Sequence, residues 1–276
     1  MATPSIAMIP SAVKAGKVYS VLPTNGIGDF DFTRASTATR INSQGLIESV
    51  ASGVPRLDYS NGDCPGLLLE PQSTNLITYS EDFSQGSWIK SGPSIASGFD
   101  SPDGALNAYK IIPSLISTSQ DLFTSATALG STTYTRSFFA KAGGYNWVLI
   151  AQFDGATNRG AWFDLSNGVL GSVETDITSK IESYSNGWYK CSVTFTTHPS
   201  ATSERAQLSV VNSNNAKSFT GDGTSGIYIF GAQLEENSFS TSYIPTLTGT
   251  AQTRDAETCG GAGDSSSINS EEGVLY

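Results

Sequence analysis

From Trp188 to Thr196 the chain alternates. Tyr189, Cys191, Val193 and Phe195 take every second position, with Lys190, Ser192, Thr194 and Thr196 between them. A period of two marks a strand with one face on a core and the other on solvent or a neighbour. Gly226 to Glu235 reads as a second strand. Its Tyr228, Phe230, Ala232 and Leu234 form one face, and Ile227, Ile229, Gly231 and Gln233 the other. Both faces are fairly apolar, as expected of a central strand. Thr132 to Lys141, Asn146 to Phe153 and Ala161 to Leu165 supply further strands. The expected core comprises Tyr189, Val193, Phe195, Tyr228, Phe230 and Leu234.

The punctuation between these segments is that of hairpins. Asn-Gly pairs stand at Asn25-Gly26, Asn61-Gly62, Asn167-Gly168 and Asn186-Gly187. Both residues tolerate positive φ, which tight hairpin turns require. No long helical period with caps appears, and no tandem repeat. Short strands with frequent turns predict an all-β protein, an antiparallel jelly-roll β-sandwich over residues 76–245.

Residues 1–75 are different. Pro4, Pro10, Pro23, Pro55, Pro65 and Pro71, with many glycines, leave little room for long regular strands. Yet Ile6, Met8, Ile9, Val13, Val18, Val21, Leu22 and Leu67-Leu68-Leu69 want burial. The expectation is an irregular assembly segment, folded by contact with other subunits or with the jelly roll of the same chain. Self-association as a homo-oligomer follows. Residues 246–276 contain Cys259-Gly260-Gly261-Ala262-Gly263 and Ser265-Ser266-Ser267, a linker-like composition.

Composition sharpens this picture. Charged residues are 14% of the chain, against about 25% in typical proteins. Ser, Thr, Asn and Gly replace them, which suits a particle-borne or extracellular β protein. The formal net charge of -10 repels phosphate backbones, so nucleic acid is not an expected partner. No apolar run is long enough to span a membrane as a helix. The N-terminus does not read as a signal peptide, because prolines interrupt its apolar stretch and its lysines follow it.

Candidate chemistry is sparse. Three cysteines, Cys64, Cys191 and Cys259, lack metal or redox spacing. Cys191 reads as a core residue, and a Cys64–Cys259 disulfide stays open. The single histidine, His198, precludes a multi-histidine metal site and reads as a loop residue. Gly221-Asp222-Gly223-Thr224-Ser225-Gly226 matches the dinucleotide glycine pattern formally. That pattern needs a helix after it, and here a strand follows. The acidic pairs Glu81-Asp82 and Glu235-Glu236 point to opposite faces if extended, so neither makes a two-carboxylate hydrolytic site alone. A structural calcium held by carboxylate and backbone oxygens is the better expectation for such groups. No enzyme is expected. Of the four tryptophans, most should fill the core. Trp188, in register with Lys190 and Ser192, and Trp162, in register with Asp164, are the two candidates for stacking on a ligand.

Two blocks resemble a known family. Lys14-Ala15-Gly16-Lys17-Val18-Tyr19, Phe32-Thr33-Arg34-Ala35-Ser36-Thr37, Val54-Pro55-Arg56-Leu57-Asp58-Tyr59 and Leu69-Glu70-Pro71-Gln72-Ser73-Thr74-Asn75-Leu76 resemble the opening of phage fibre, spike and tail-associated proteins. Pro4-Ser5-Ile6-Ala7 belongs to the same block. Tyr79-Ser80-Glu81-Asp82-Phe83, Asn186-Gly187-Trp188-Tyr189-Lys190, Ile229-Phe230-Gly231-Ala232-Gln233-Leu234-Glu235 and Ser242-Tyr243-Ile244-Pro245 are similar to the jelly roll of phage head-spike and tail-fibre proteins, itself like a carbohydrate-binding module. The resemblance implies a virion location, with other virion proteins as partners through residues 1–75 and a trimer as the first choice of homo-oligomer. It implies contact with host-surface glycans but transfers no sugar site. Longer relatives continue into a lectin-like domain. Glu272-Gly273-Val274-Leu275-Tyr276 resembles its start, so that domain's function is expected to be absent. The leading reading is a structural virion protein. The alternatives are a glycan-binding adhesin or receptor-binding protein and, third, a polysaccharide depolymerase.

Overall fold

The computed structural model describes residues 7–22 and 24–263. Pro4, Ile6, Pro23, Ser265-Ser266-Ser267 and the block Glu272 to Tyr276 lie outside them, as do the side chains of Met8 and Ile9. The protein is all-β. Its one helical turn among the described residues is the 3-10 turn Ser185–Gly187. The chain forms two units, Met1–Gln72 with Thr253–Tyr276, and Ser73–Gln252.

The first unit begins with β1 (Ala7–Lys14), β2 (Lys17–Leu22), β3 (Phe30–Thr33), β4 (Ala38–Ile41), β5 (Ile47–Val50), β6 (Arg56–Asp58) and β7 (Gly66–Leu68). The prolines thus leave short strands rather than none. Pro10 lies inside β1, whose register against β2 breaks between Met8 and Val13, as the missing N–H requires. Val18, Phe32, Ile47, Val50 and Leu57 are buried, whereas Val21 and Leu69 stay exposed.

The second unit contains β8 (Ser73–Asn75), β9 (Ile89–Ser91), β10 (Ser94–Phe99), β11 (Ala108–Ile112), β12 (Asp121–Thr127), β13 (Thr133–Gly143), β14 (Trp147–Phe153), β15 (Asn158–Asp164), β16 (Val169–Val173), β17 (Thr178–Ser183), β18 (Tyr189–Thr196), β19 (Ser203–Val211) and β20 (Gly226–Glu235). Two six-stranded sheets result, β10-β11-β20-β13-β18-β17 and β16-β15-β14-β19-β12-β9. Take the eight inner strands in chain order: β11, β12, β13, β14, β15, β18, β19, β20. The first sheet orders them 1-8-3-6 and the second 2-7-4-5, which is the jelly-roll order. Asn167-Gly168 turns β15 into β16. Asn186 (φ 58) and Gly187 (φ +76) turn β17 into β18.

The core lies between the sheets. It holds Phe138, Val148, Ile150, Phe163, Cys191, Val193, Phe195, Leu208 and Leu234, with Tyr189 packed half-buried at its margin. The expected face of β20 needs one correction. Ile227, Ile229, Ala232 and Leu234 face the core, not Tyr228 and Phe230. Gly231, at φ +59, sits in a bulge where the β13–β20 register shifts between Ser137 and Phe139. One extra residue inverts the alternation on its far side. Phe230 is buried on the opposite face, against Phe139 and Tyr243, and Tyr228 is half-buried.

Beyond the second unit come β21 (Gln252–Arg254) and β22 (Thr258–Gly260). The described part of the tail is therefore not a linker. β22 pairs with β3, and Glu257 is buried between arginines of the first unit. Cys64 and Cys259 are both free, so no disulfide joins them.

Candidate functional site

Neither tryptophan singled out by sequence is available to a ligand. Trp188 is 1% exposed and Trp162 is 2% exposed. Trp188 shares its register with Lys190, and the face they point to is covered by residues 236–246. Lys190 donates to Thr241 O at 2.5 Å, and Glu235 accepts from Thr241 N at 3.0 Å and Ser73 Oγ at 2.7 Å. Trp162 packs with Leu149, Ala151 and Val211, and donates from Nε1 to Ala216 O at 2.8 Å. The loop after β19 closes over it.

The outer face of the β16-to-β9 sheet continues from Trp162 into a different surface. Alternation along β19 turns Ala206, Leu208 and Val210 inward and Arg205, Gln207 and Ser209 outward. Register then sets their neighbours: Phe153, Arg205 and Ser125 share one row, and Ala151, Gln207 and Phe123 the next. Leu149, Ser209 and Asp121 form the third. The Arg205 guanidinium lies 4.8 Å from the Phe123 ring centre and 5.2 Å from that of Phe153. Gln207 Nε2 donates to Ser209 Oγ at 3.0 Å, and Ser209 Oγ donates to Asp121 Oδ1 at 2.6 Å. Gln207 Oε1 and Arg205 Nε are buried without a partner. Phe153 is 37% exposed. Rings beside unsatisfied amide and guanidinium groups form a surface for a ligand with C–H faces and hydroxyls.

A groove of about 470 Å³ lies at the edge where β17 and β18 of the other sheet meet Arg159 of β15, and is lined by Thr133, Arg159, Asp176, Thr178, Thr194 and Thr196. Most of its groups are already satisfied: Thr133 and Thr196 hydroxyls lie 3.0 Å apart, and Arg159 pairs with Asp176 at 3.1 Å, although Arg159 Nε is buried without a partner. A ligand there must break bonds that the first surface leaves open.

The acidic pair separates as expected. Asp82 caps a turn, accepting from Gln85, Ser84 and Tyr109, and those hydrogen bonds hold it well below the usual carboxylate range. Glu81 turns toward Tyr243 and Asn107, and burial pushes its pKa up, with Asp103 adding to the rise. Asn107 Nδ2 lies 3.2 Å from Glu81 Oε2 and 3.3 Å from Asp103 Oδ2, while its Oδ1 is buried without a partner. Among the described residues no group of three or more His, Cys, Asp or Glu is placed to hold a metal. Gly221 to Ser225 is a loop, with Asp222 Oδ1 accepting from Ser225 N at 2.7 Å, and it leads into β20. His198 is exposed beside Ser200.

No family model matches the chain. No curated protein matches it either. Among solved structures it is similar to TmCBM61 in complex with β-1,4-galactotriose, at 13% identity and a TM-score of 0.38, over 59% of this chain and 99% of that one. It is also similar to the enzymatically active domain of bacteriophage CBA120 tailspike protein 4, at 12% identity and 0.38, over 58% of this chain but 21% of that one. TmCBM27, described by its mannan recognition, matches at 11% identity and 0.34, over 62% and 98%. These are distant matches, and the geometry of the site itself carries the functional argument.

Proposed function

We propose that this chain binds carbohydrate through the outer face of β14, β19 and β12, as a non-catalytic component of a bacteriophage fibre or spike that meets host-surface glycans. The observation that carries the binding reading is the Phe123–Arg205–Phe153 stack beside Gln207, whose amide oxygen is buried and unpaired. A sugar offers what this surface lacks. Its C–H face covers Phe153, and its hydroxyls meet the open edge of the Arg205 guanidinium. The virion assignment is supported by the sequence blocks from Lys14 to Leu76 and from Tyr79 to Pro245. The calcium expected from sequence is assigned to the carboxylates Glu81 and Asp103, which Asn107 Nδ2 bridges away from this face.

The test is a glycan array probed with the full chain and with a Phe123→Ala/Phe153→Ala variant, in calcium and in chelator. Retention of a glycan class by the wild type and its loss in the variant is expected. Calcium is expected to raise the unfolding temperature without altering retention. Equal retention by both proteins moves the site elsewhere, and cleavage of the glycan makes the chain a depolymerase.

A further inference from the structure

The chain has seven arginines. Six sit in ion pairs: Arg34 and Arg56 with Glu257, Arg40 with Glu48, Arg136 with Glu204, Arg159 with Asp176, and Arg254 with Glu70. Arg205 is the exception. Its side chain makes no ion pair and no hydrogen bond among the described residues, although the chain carries 25 acidic residues against 15 basic ones. A guanidinium left without a carboxylate in so acidic a protein needs an explanation.

Its surroundings hold it in place without neutralising it. Two rings flank it, so its rotamer is fixed by stacking rather than by a counter-ion. Asp121, the carboxylate on the same face of β12, sits four register pairs along, two rows away on that face, and is held by Ser209. Glu204, the neighbour in sequence, points through the sheet to Arg136. Burial, and then the Arg205 charge, lower the Arg136 pKa to about 9. Glu204 is thus spoken for by Arg136 and leaves Arg205 without a carboxylate partner.

We propose that the glycan taken by this face is acidic, with a sugar carboxylate docking on the Arg205 guanidinium. The inference rests on the carbohydrate reading above and narrows it to uronate-type or other carboxylated sugars. A stacked guanidinium presents its N–H edge in a plane, which matches a carboxylate in bidentate fashion. Phe153 lies directly across from Arg205 in the register, about 5 Å away at the backbone. One sugar ring can therefore cover Phe153 while its carboxylate reaches Arg205.

The experiment measures binding of the full chain to polygalacturonate, alginate and hyaluronate, each beside its carboxyl-reduced form. The wild type should bind at least one acidic polymer about tenfold or more tightly than the reduced form, the size of a charge-assisted hydrogen bond. That preference should weaken with added salt. Arg205→Gln should lose it, its ratio of acidic to reduced-polymer affinity falling to about one, and Arg205→Lys should keep part of it. Equal binding of acidic and reduced polymers by the wild type overturns the acidic assignment and leaves carbohydrate binding standing. A preference undiminished in Arg205→Gln also overturns it. Binding to none of the six polymers, with none on the array, removes the carbohydrate reading itself.

Discussion

At the scale of single residues, what decides a side chain's role here is whether its polar atoms are satisfied. Trp162 and Trp188 have nearly the same burial but opposite status. Trp162 donates to Ala216 O, whereas Trp188 Nε1 is buried without a partner. Phenylalanine at either position removes similar area. At 162 it also removes a hydrogen bond to the half-buried Ala216, and at 188 it removes an orphan donor. Trp162→Phe should therefore lose about 1–3 kcal/mol more than Trp188→Phe, read from urea unfolding midpoints. Equal losses would show that the Ala216 contact carries no net weight. Sequence could not separate the two, because alternation reports which face a residue takes and not what later covers that face. Residues 236–246, distant in sequence from Trp188, cover the face that Lys190 shares. Arg205 and Gln207 had a readable signal in the clean alternation of Arg205, Gln207 and Ser209 against Ala206, Leu208 and Val210. What stayed hidden was the pairing of β19 with β14 and β12, which brings Phe153 and Phe123 to either side of Arg205.

At the scale of elements, strand positions were legible and one strand face was not. β20 spans Gly226–Glu235 as the pattern predicts, and β13, β14 and β18 fall within two residues of their expected ends. The face of β20 inverts at Gly231 because a bulge breaks the period of two. Nothing in a local pattern of apolar residues marks that extra residue except the glycine itself. Gly231 combines φ +59 with close neighbours: an added Cβ meets Phe139 Cδ2 at 2.9 Å and Tyr243 Cε2 at 3.2 Å. Gly187 shares the backbone conformation, at φ +76, but its nearest neighbour is Lys141 Cε at 3.8 Å. Gly187→Ala should cost about 1 kcal/mol, from conformation alone. Gly231→Ala should cost about 1–3 kcal/mol and exceed it, because ring displacement adds to the strain. Thermal unfolding of the two variants tests this. A smaller loss at 231 would mean that the bulge relaxes freely.

At the scale of the whole chain, the first unit is closed by charge as much as by apolar packing. Its strands are short, and its buried apolar set is small beside that of the jelly roll. In compensation, Glu257 reaches back from the far end of the sequence. It accepts from Arg34 Nη1 at 2.6 Å and from Arg56 Nε at 2.8 Å, with a further short contact to Arg56 Nη2. Glu70 accepts from Arg56 at 2.8 Å and pairs with Arg254 at 2.9 Å, while its own N–H donates to Glu257 at 3.0 Å. Burial pushes the Arg56 pKa down, and the two carboxylates more than restore it, so the net shift is upward. A carboxylate shared by two buried guanidiniums cannot be removed without leaving both underpaired. Glu257→Gln should therefore destabilise the first unit by about 3–5 kcal/mol, the cost of breaking a buried ion pair from one side. Deleting the chain from residue 253 should do at least as much, since it also removes Arg254 and β22. Limited proteolysis of the full-length variant supplies the measurement. New cleavage should concentrate in residues 1–72, while residues 73–252 keep the wild-type protection given by their two-sheet core. Wild-type resistance throughout the Glu257→Gln chain would show that the apolar residues alone hold the unit closed.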